Sequence, residues 1–202
     1  VTQARHQKPL KGRAYWNERY SEDGYAYGEV ANDFLQQCAM KLPCGKALSL
    51  CEGEGRNAVF LAQLGFEVTA VDFSEIGLQK AQSLAQRLGV QIHCVQADLA
   101  DFDLLSEHWD LVVSIFAQPE SSTRQRLYRQ LAQSLKLGGA FLLESKVEPS
   151  AQASERYPGI QILCQEIGSL HVTHATEQER MLNEGRYHQG LQRTAQILAW
   201  QT

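Results

Sequence analysis

The sequence predicts an α/β protein whose mainly parallel sheet carries helices on both faces and is closed at one edge by an antiparallel hairpin. Three observations carry this. The apolar run Ala47-Leu-Ser-Leu-Cys51 leads through Glu52-Gly-Glu-Gly-Arg-Asn57 into a helical stretch and then Phe66-Glu-Val-Thr-Ala-Val-Asp72, an order of strand, glycine loop, helix and strand. Strand-like and helix-like stretches keep alternating through the middle of the chain, as they do when crossover helices cover a parallel sheet. The ending breaks that alternation: residues 170–181 and 187–200 are both β-like and are joined by Asn183-Glu-Gly185.

Taken in order, residues 1–13 are polar and aperiodic and are expected to be a flexible tail, leaving a single domain over 14–202. Residues 14–28 are dense in aromatics and then in turn formers, which suggests a short helix and loop lying across something. Residues 33–41 place Phe34, Leu35 and Cys38 at helical spacing, stopped by Pro43-Cys-Gly45. We treat 14–45 as an N-terminal lid segment. After the first βαβ unit come a helix over 75–88 stopped by Gly89, strands over 91–95 and 109–114, a helix over 123–136 and a strand over 140–145. The last strand, around 187–200, is expected to insert antiparallel beside the strand at 140–145.

A chain of 202 residues, 44% hydrophobic and 21% charged, supports one α/β domain with a full core. Its formal net charge of -4 exerts no general pull on phosphate backbones or anionic lipid, so neither nucleic acid nor a membrane is an expected partner. No apolar run is long enough to span a bilayer, and the first residues lack the apolar core of a signal peptide, which makes the cytoplasm the expected location. The five cysteines are odd in number and form no Cys-x-x-Cys pair, so they are expected to be reduced thiols; Cys51 and Cys94 fall in or at the ends of strands as small core hydrophobes. Nothing has zinc spacing. His171 and His174, three apart in a strand, should face opposite sides, and no metal site is expected.

Chemistry concentrates after the first two strands. Gly53 and Gly55 permit a tight turn beside a ligand, and the helix beginning at Arg56 turns free N–H groups toward it. Asp72, at the carboxyl end of the second strand, stands where a carboxylate accepts hydrogen bonds from ribose hydroxyls, since Ser74 already supplies the cap for the following helix. Gly53-x-Gly55-x-x-Ala58 also satisfies the dinucleotide pattern, so the loop alone does not choose between NAD and another adenosine cofactor. Arg56 opposes the helix dipole, which suggests that it meets an anion: the cofactor, an acidic substrate or Glu54.

The segments Glu52-Gly-Glu-Gly-Arg-Asn57, Val71-Asp-Phe-Ser74, Gln96-Ala-Asp-Leu99, Asp110-Leu-Val-Val-Ser114, Leu137-Gly-Gly-Ala140 and Glu179-Arg180…Glu184-Gly185…His188-x-Gly190, in this order and spacing, resemble the class I S-adenosylmethionine-dependent methyltransferases. More narrowly, they resemble the tellurite-resistance-type, thiopurine-methyltransferase-like small-molecule enzymes, over about residue 16 to the C-terminus. The resemblance implies a Rossmann-like three-layer αβα sandwich with a seven-stranded sheet, and S-adenosyl-L-methionine as cofactor. It assigns Gly53 and Gly55 to close backbone approach, Asp72 to the ribose, Phe73 to adenine packing with Ser74 following, Asp98 to the adenine amino group with Ala97 and Leu99 beside the ring, and Ile115 to the same pocket. Where the family places an acidic residue in the first strand and a glycine after it, this chain has Ser49 and Cys51. Glu52 is the local carboxylate to replace that contact; Glu52 and Glu54 are otherwise solvated loop charges. Arg56 and Asn57 complete the loop, and Arg19 and Tyr27 are the N-terminal residues placed to cover the methionine end. His188, after the hairpin turn, is the candidate on the acceptor side or else a structural histidine.

These features point to methyl transfer to a small-molecule acceptor, possible classes being a thiol or a chalcogen oxyanion such as tellurite, by a monomer or weak homodimer. An NAD(P)-dependent oxidoreductase is the rival enzyme, but it lacks a second catalytic domain and a Tyr-x-x-x-Lys pair here. A non-catalytic S-adenosylmethionine-binding module is the third reading.

Overall fold

In a computed structural model of the chain, residues 12–148 and 155–202 are described; residues 1–11 of the expected tail at 1–13 lie outside them, and Arg13 already opens a helix. The elements run α1 (Arg13–Tyr20), α2 (Asp33–Ala39), β1 (Lys46–Leu50), α3 (Arg56–Gln63), β2 (Glu67–Asp72), α4 (Glu75–Arg87), β3 (His93–Gln96), β4 (Trp109–Ile115), α5 (Ser121–Ser134), β5 (Leu135–Lys146), α6 (Ile160–Glu166), β6 (His171–Asn183) and β7 (Gln189–Trp200). One seven-stranded sheet has the order β3-β2-β1-β4-β5-β7-β6. β3 through β5 are parallel, while β7 pairs antiparallel with β5 from Ala140 opposite Trp200 to Lys146 opposite Thr194. The order reverses direction between β1 and β4, and ligands of open α/β sheets lie outside the carboxyl ends of the strands at such a switch.

Both faces are covered, so the central strands are apolar on both sides. Leu48, Leu50, Val112, Phe141 and Leu143 pack with Leu127, Leu131 and Leu163 from α5 and α6. Ala47, Leu111, Val113 and Leu142 pack with Phe34, Leu35, Ala58 and Leu61 from α2 and α3. The latter half of the 14–45 segment is therefore core. α2 is capped by Asn32, whose side chain accepts from the Leu35 N–H at 3.0 Å, and α4 by Ser74, which accepts from Gly77 at 3.1 Å. Gly89, at φ 71°, ends the α4 turn as expected.

Four local expectations need correction. α5 stops at Ser134 and β5 begins at Leu135, with the Trp109/Leu111 pairing shifted and Gly138 at φ 78°, so the strand takes up residues the helical pattern claimed. α6 was not expected, although Ile160, Leu163, Cys164 and Ile167 follow a helical period. Tyr187 and His188 belong to the turn, and β7 starts at Gln189. A register shift between Val172 and His174 sets His171 opposite Trp200 and His174 opposite Leu198, so the bulge puts both histidines on one face.

Candidate active site

The carboxyl ends of β1, β2 and β4 open onto a cavity of about 670 Å³. Its opposite wall is made by α1, the loop after it and the turn between β6 and β7. Tyr27, Glu52, Glu54, Arg56, Asn57, Asp72, Phe73, Ala97, Asp98, Leu99, Ile115 and His188 all line it. The topology thus gathers most of the residues singled out along the sequence.

Asp72 ends β2 with its carboxylate fixed from both sides: Oδ2 accepts from the Gly53 N–H at 2.9 Å and Oδ1 from the Ser74 N–H at 2.8 Å. Burial pushes its pKa up to about 6, against the opposing pull of these backbone N–H groups. A buried carboxylate in this state gains from further donors such as paired hydroxyls. Beside it, Phe73, Ala97, Leu99 and Ile115 supply apolar walls, and Asp98 has one oxygen engaged by the Ala100 N–H at 2.9 Å.

Glu52 answers the absence of an acid in β1. Its Oε1 accepts from the Asn57 and Ala58 N–H groups, each at 3.0 Å, and Oε2 accepts from the Ser49 hydroxyl. The carboxylate therefore caps α3, which has no capping side chain of its own because its N-cap is Gly55, and a negative charge there is favoured by the helix dipole. Burial raises the Glu52 pKa despite these bonds. Cys51, immediately before it, takes φ 53°, a conformation that favours glycine, and burial pushes its thiol pKa up, so it is no nucleophile at neutral pH.

Glu54 is also buried rather than solvated. Its Oε2 accepts from the Ala26 N–H at 2.7 Å, and Oε1 lies 2.6 Å from Lys80 Nζ. Lys80 in turn donates to the carbonyls of Tyr20 (2.9 Å), Glu22 (3.1 Å) and Gly24. One lysine on α4 thereby ties down the loop that follows α1.

The hairpin side is polar and buried. Arg56 does not meet Glu54; its Nη2 lies 2.7 Å from Glu184 Oε2, in the turn after β6. Glu184 Oε1 accepts from Arg180 Nη2 at 2.6 Å and Asn32 Nδ2 at 3.1 Å. Arg180 and Asn32 also donate to Glu144 of β5, at 2.7 and 2.8 Å from the guanidinium and 2.6 Å from the amide, and Gln196 of β7 adds a fourth bond at 2.9 Å. Glu144 is wholly buried and this set of donors satisfies it. His188 sits between the rings of Tyr27 and Phe116, each centroid 4.6 Å away. Burial, then Lys146, Arg56 and Arg180, lower its pKa to about 3, so the imidazole is neutral; Nδ1 has no hydrogen-bond partner among the described residues. Phe116 takes φ 51° after β4, the second strained position on the cavity wall.

Four expected contacts stand behind the wall. An added Cβ on Gly53 would meet Tyr20 Oη at 2.6 Å, and one on Gly55 would meet Ala81 Cα at 2.6 Å, so the absence of side chains at these glycines admits α1 and α4. Ser74 caps α4 and donates to Asn17 Oδ1 at 2.6 Å. Arg19 stacks on Tyr187, its guanidinium carbon 3.5 Å from the ring centroid, and accepts no place on the cavity. Conversely, Trp16, Tyr20, Cys51, Phe116, Gln118, Pro119, Glu120 and Thr123 line it. The aromatic density of 14–28 signalled the first two; nothing local in the sequence marks Phe116 or the 118–123 stretch.

The switch-point cavity, the acid at the end of β2 and the inserted antiparallel last strand define the class I methyltransferase fold. Residues 47–139 match the methyltransferase-domain family, and the fold of the chain is that of the solved methyltransferases it resembles. It is 31% identical over 91 residues, 43% of its length, to the uncharacterized methyltransferase YbaJ of Bacillus subtilis, and spans 36% of that protein. Among solved structures it resembles TehB from Haemophilus influenzae, with a TM-score of 0.70 and 18% identity over 94% of this chain and 67% of that one. It also resembles the [4+2]-cyclase SpnF, with a TM-score of 0.67 and 13% identity over 88% of this chain and 87% of that one. At such identities the likeness shows the fold alone. No helix among the described residues is long and apolar enough to cross a membrane.

Proposed function

We propose that this chain transfers the methyl group of S-adenosylmethionine to a small molecule whose nucleophile is soft or already anionic, a thiol or a chalcogen oxyanion. The observation that carries this is Asp72, held by two backbone N–H groups at the rim of a cavity with apolar walls on one side and a neutral, buried histidine on the other. The residues fit the cofactor: Asp72 for the ribose hydroxyls, Phe73, Ala97, Leu99 and Ile115 for the adenine faces, Asp98 for its amino group, and Arg56 for the methionine carboxylate. When bound, S-adenosylmethionine supplies an electrophilic methyl on its sulfonium.

The protein's share is alignment and exclusion of water. The segment from Trp16 to Gly28 is read as a lid, a reading supported by Trp16, Tyr20 and Tyr27 lining the cavity. His188, buried with its Nδ1 unpartnered among the described residues, is placed to orient the acceptor by hydrogen bonding. Its lowered pKa of about 3 makes it a weak general base, which supports an acceptor needing little proton removal. The five cysteines, all free, and the net charge of -4 support a cytoplasmic monomer or weak homodimer acting on small molecules rather than on nucleic acid or membranes.

The test is calorimetry with S-adenosylmethionine, S-adenosylhomocysteine and NAD in parallel, followed by turnover against a panel of thiols and chalcogen oxyanions. Binding of both adenosyl compounds with turnover of one acceptor class is expected. Binding of NAD alone would overturn the cofactor assignment, and binding without turnover of any acceptor would leave a binding module.

A further inference from the structure

Glu184 and Gly185 recur in the hairpin ending, and the reaction as described uses neither. Glu184 is 8% exposed and lies on a turn, where a carboxylate would ordinarily be solvated. Three separate parts of the chain hold it there: Arg56 from the start of α3 (2.7 Å), Arg180 from β6 (2.6 Å) and Asn32 from the cap of α2 (3.1 Å). Its own N–H donates to the His188 carbonyl at 2.9 Å, closing the turn that carries His188. Asn32 reaches back to the same loop as Arg56, its N–H donating to Asn57 Oδ1 at 3.0 Å.

Among the described residues, Arg56 forms one ion pair, with Glu184. A cation as the first residue of α3 faces the positive end of the helix dipole, and Glu52 already occupies the helix N–H groups beside it. Without Glu184, the buried guanidinium would have no carboxylate within ion-pair distance among the described residues. We propose that Glu184 is a positioning residue for the methionine end of the cofactor, acting through Arg56. This rests on the methyltransferase reading and on Arg56 facing the cofactor carboxylate. A residue on the hairpin far along the chain thereby sets affinity at the glycine loop, and ties cofactor affinity to the geometry of the turn bearing His188.

A double-mutant cycle on the full chain tests it, with S-adenosylhomocysteine calorimetry, circular dichroism and thermal melting for wild type, Glu184→Gln, Arg56→Gln and the double variant. Glu184→Gln is expected to weaken S-adenosylhomocysteine by about fivefold or more, and the double variant to bind no more weakly than Arg56→Gln alone. A purely structural role would lower the melting temperature without that non-additivity. Wild-type affinity in Glu184→Gln, or losses that multiply in the double variant, would overturn the proposal. If Glu184→Gln does not fold, Glu184→Asp keeps the charge and shortens its reach; a smaller loss in the same direction is expected, and wild-type affinity there overturns it equally. Wild-type protein that fails to bind S-adenosylhomocysteine would instead remove the methyltransferase reading on which it rests.

Discussion

The two walls of the cavity are built by different means. The wall at the ends of β1 and β2 is made of neighbours in sequence: Asp72 is held by Gly53 and Ser74, and Glu52 by Ser49, Asn57 and Ala58. The wall at the hairpin is made of strangers: Asn32, Glu144, Arg180, Glu184 and Gln196 come from five elements and meet only when the sheet is complete. Backbone N–H groups dominate the first wall and side-chain charges the second. The first should tolerate substitution by giving up ligand affinity, the second by giving up stability, with Glu184, which reaches Arg56 on the first wall, costing affinity as well.

The largest effect that can break this contrast is at Glu144. Glu144→Ala removes the wholly buried one of the two carboxylates that Arg180 and Asn32 share, leaving them Glu184, and should lower unfolding free energy by about 3–5 kcal/mol. Urea titration measures it. A loss no larger than a surface substitution produces would mean that the hairpin wall is held by packing alone.

Asp72 probes the other wall. Asp72→Asn keeps the shape and should cost about 10- to 100-fold in S-adenosylhomocysteine affinity, the worth of charge-assisted bonds. Its pH dependence has a definite sign. Burial raises the Asp72 pKa from 3.8 to about 6, so in the free protein its contribution to stability is present below about pH 4 and lost as pH rises through 6. Donors from a ribose favour the charged form, so affinity should fall as pH drops through about 6, with proton uptake by the carboxylate opposing binding. Calorimetry across that window should show the dependence in wild type and its absence in Asp72→Asn.

Where the walls meet, the loop after α1 docks on the hairpin turn. The Arg186 N–H donates to the Ala26 carbonyl at 2.9 Å, Tyr187 donates to the Glu22 carboxylate at 2.7 Å, and Gly28 and Gly185, both at φ 73°, pack backbone to backbone. A Cβ on Gly185 would collide with Tyr27 and Gly28. Gly185→Ala should therefore cost about 1–3 kcal/mol and speed amide exchange across residues 20–28. Exchange with and without S-adenosylhomocysteine sharpens the lid proposal: protection gained on binding supports a lid, and equal protection in both states makes the segment fixed wall.

The smallest expected effect is at Ser74. Ser74→Ala removes a helix cap and should cost about 1 kcal/mol in stability while changing S-adenosylhomocysteine affinity less than about threefold. A larger binding loss would return Ser74 to the cofactor side.

The same contrast explains what was legible in the sequence. Strand, loop, helix and acid follow one another within one βαβ unit, so spacing located Asp72 and the cap at Ser74, the family resemblance pointed to Glu52, and alternation located the parallel sheet, its break marking the terminal hairpin. Gly53 and Gly55 were found, but not that Tyr20 and Ala81 pack where their side chains would be, because a local glycine pattern does not show which neighbouring helix closes on it. On sequence alone Glu52 and Glu54 read equally as solvated loop charges and Glu184 has no role beyond the hairpin motif, since burial of a carboxylate depends on partners such as Lys80 or Arg180 that no local pattern announces. His171 and His174 were assigned opposite faces by simple alternation, which a one-residue bulge defeats.

Sheet order also dictates the sequence of assembly during synthesis. β7 lies between β5 and β6, so β6 has no partner strand until β7 has emerged. The parallel half can condense from βαβ units as they appear, leaving the Asp72 wall formed while Arg180 and Glu184 are still on an unpaired strand. A chain at that stage would hold the Asp72 side of the cavity with the hairpin side open and Glu144 uncovered. The final strand is therefore the element that closes the cavity from the hairpin side.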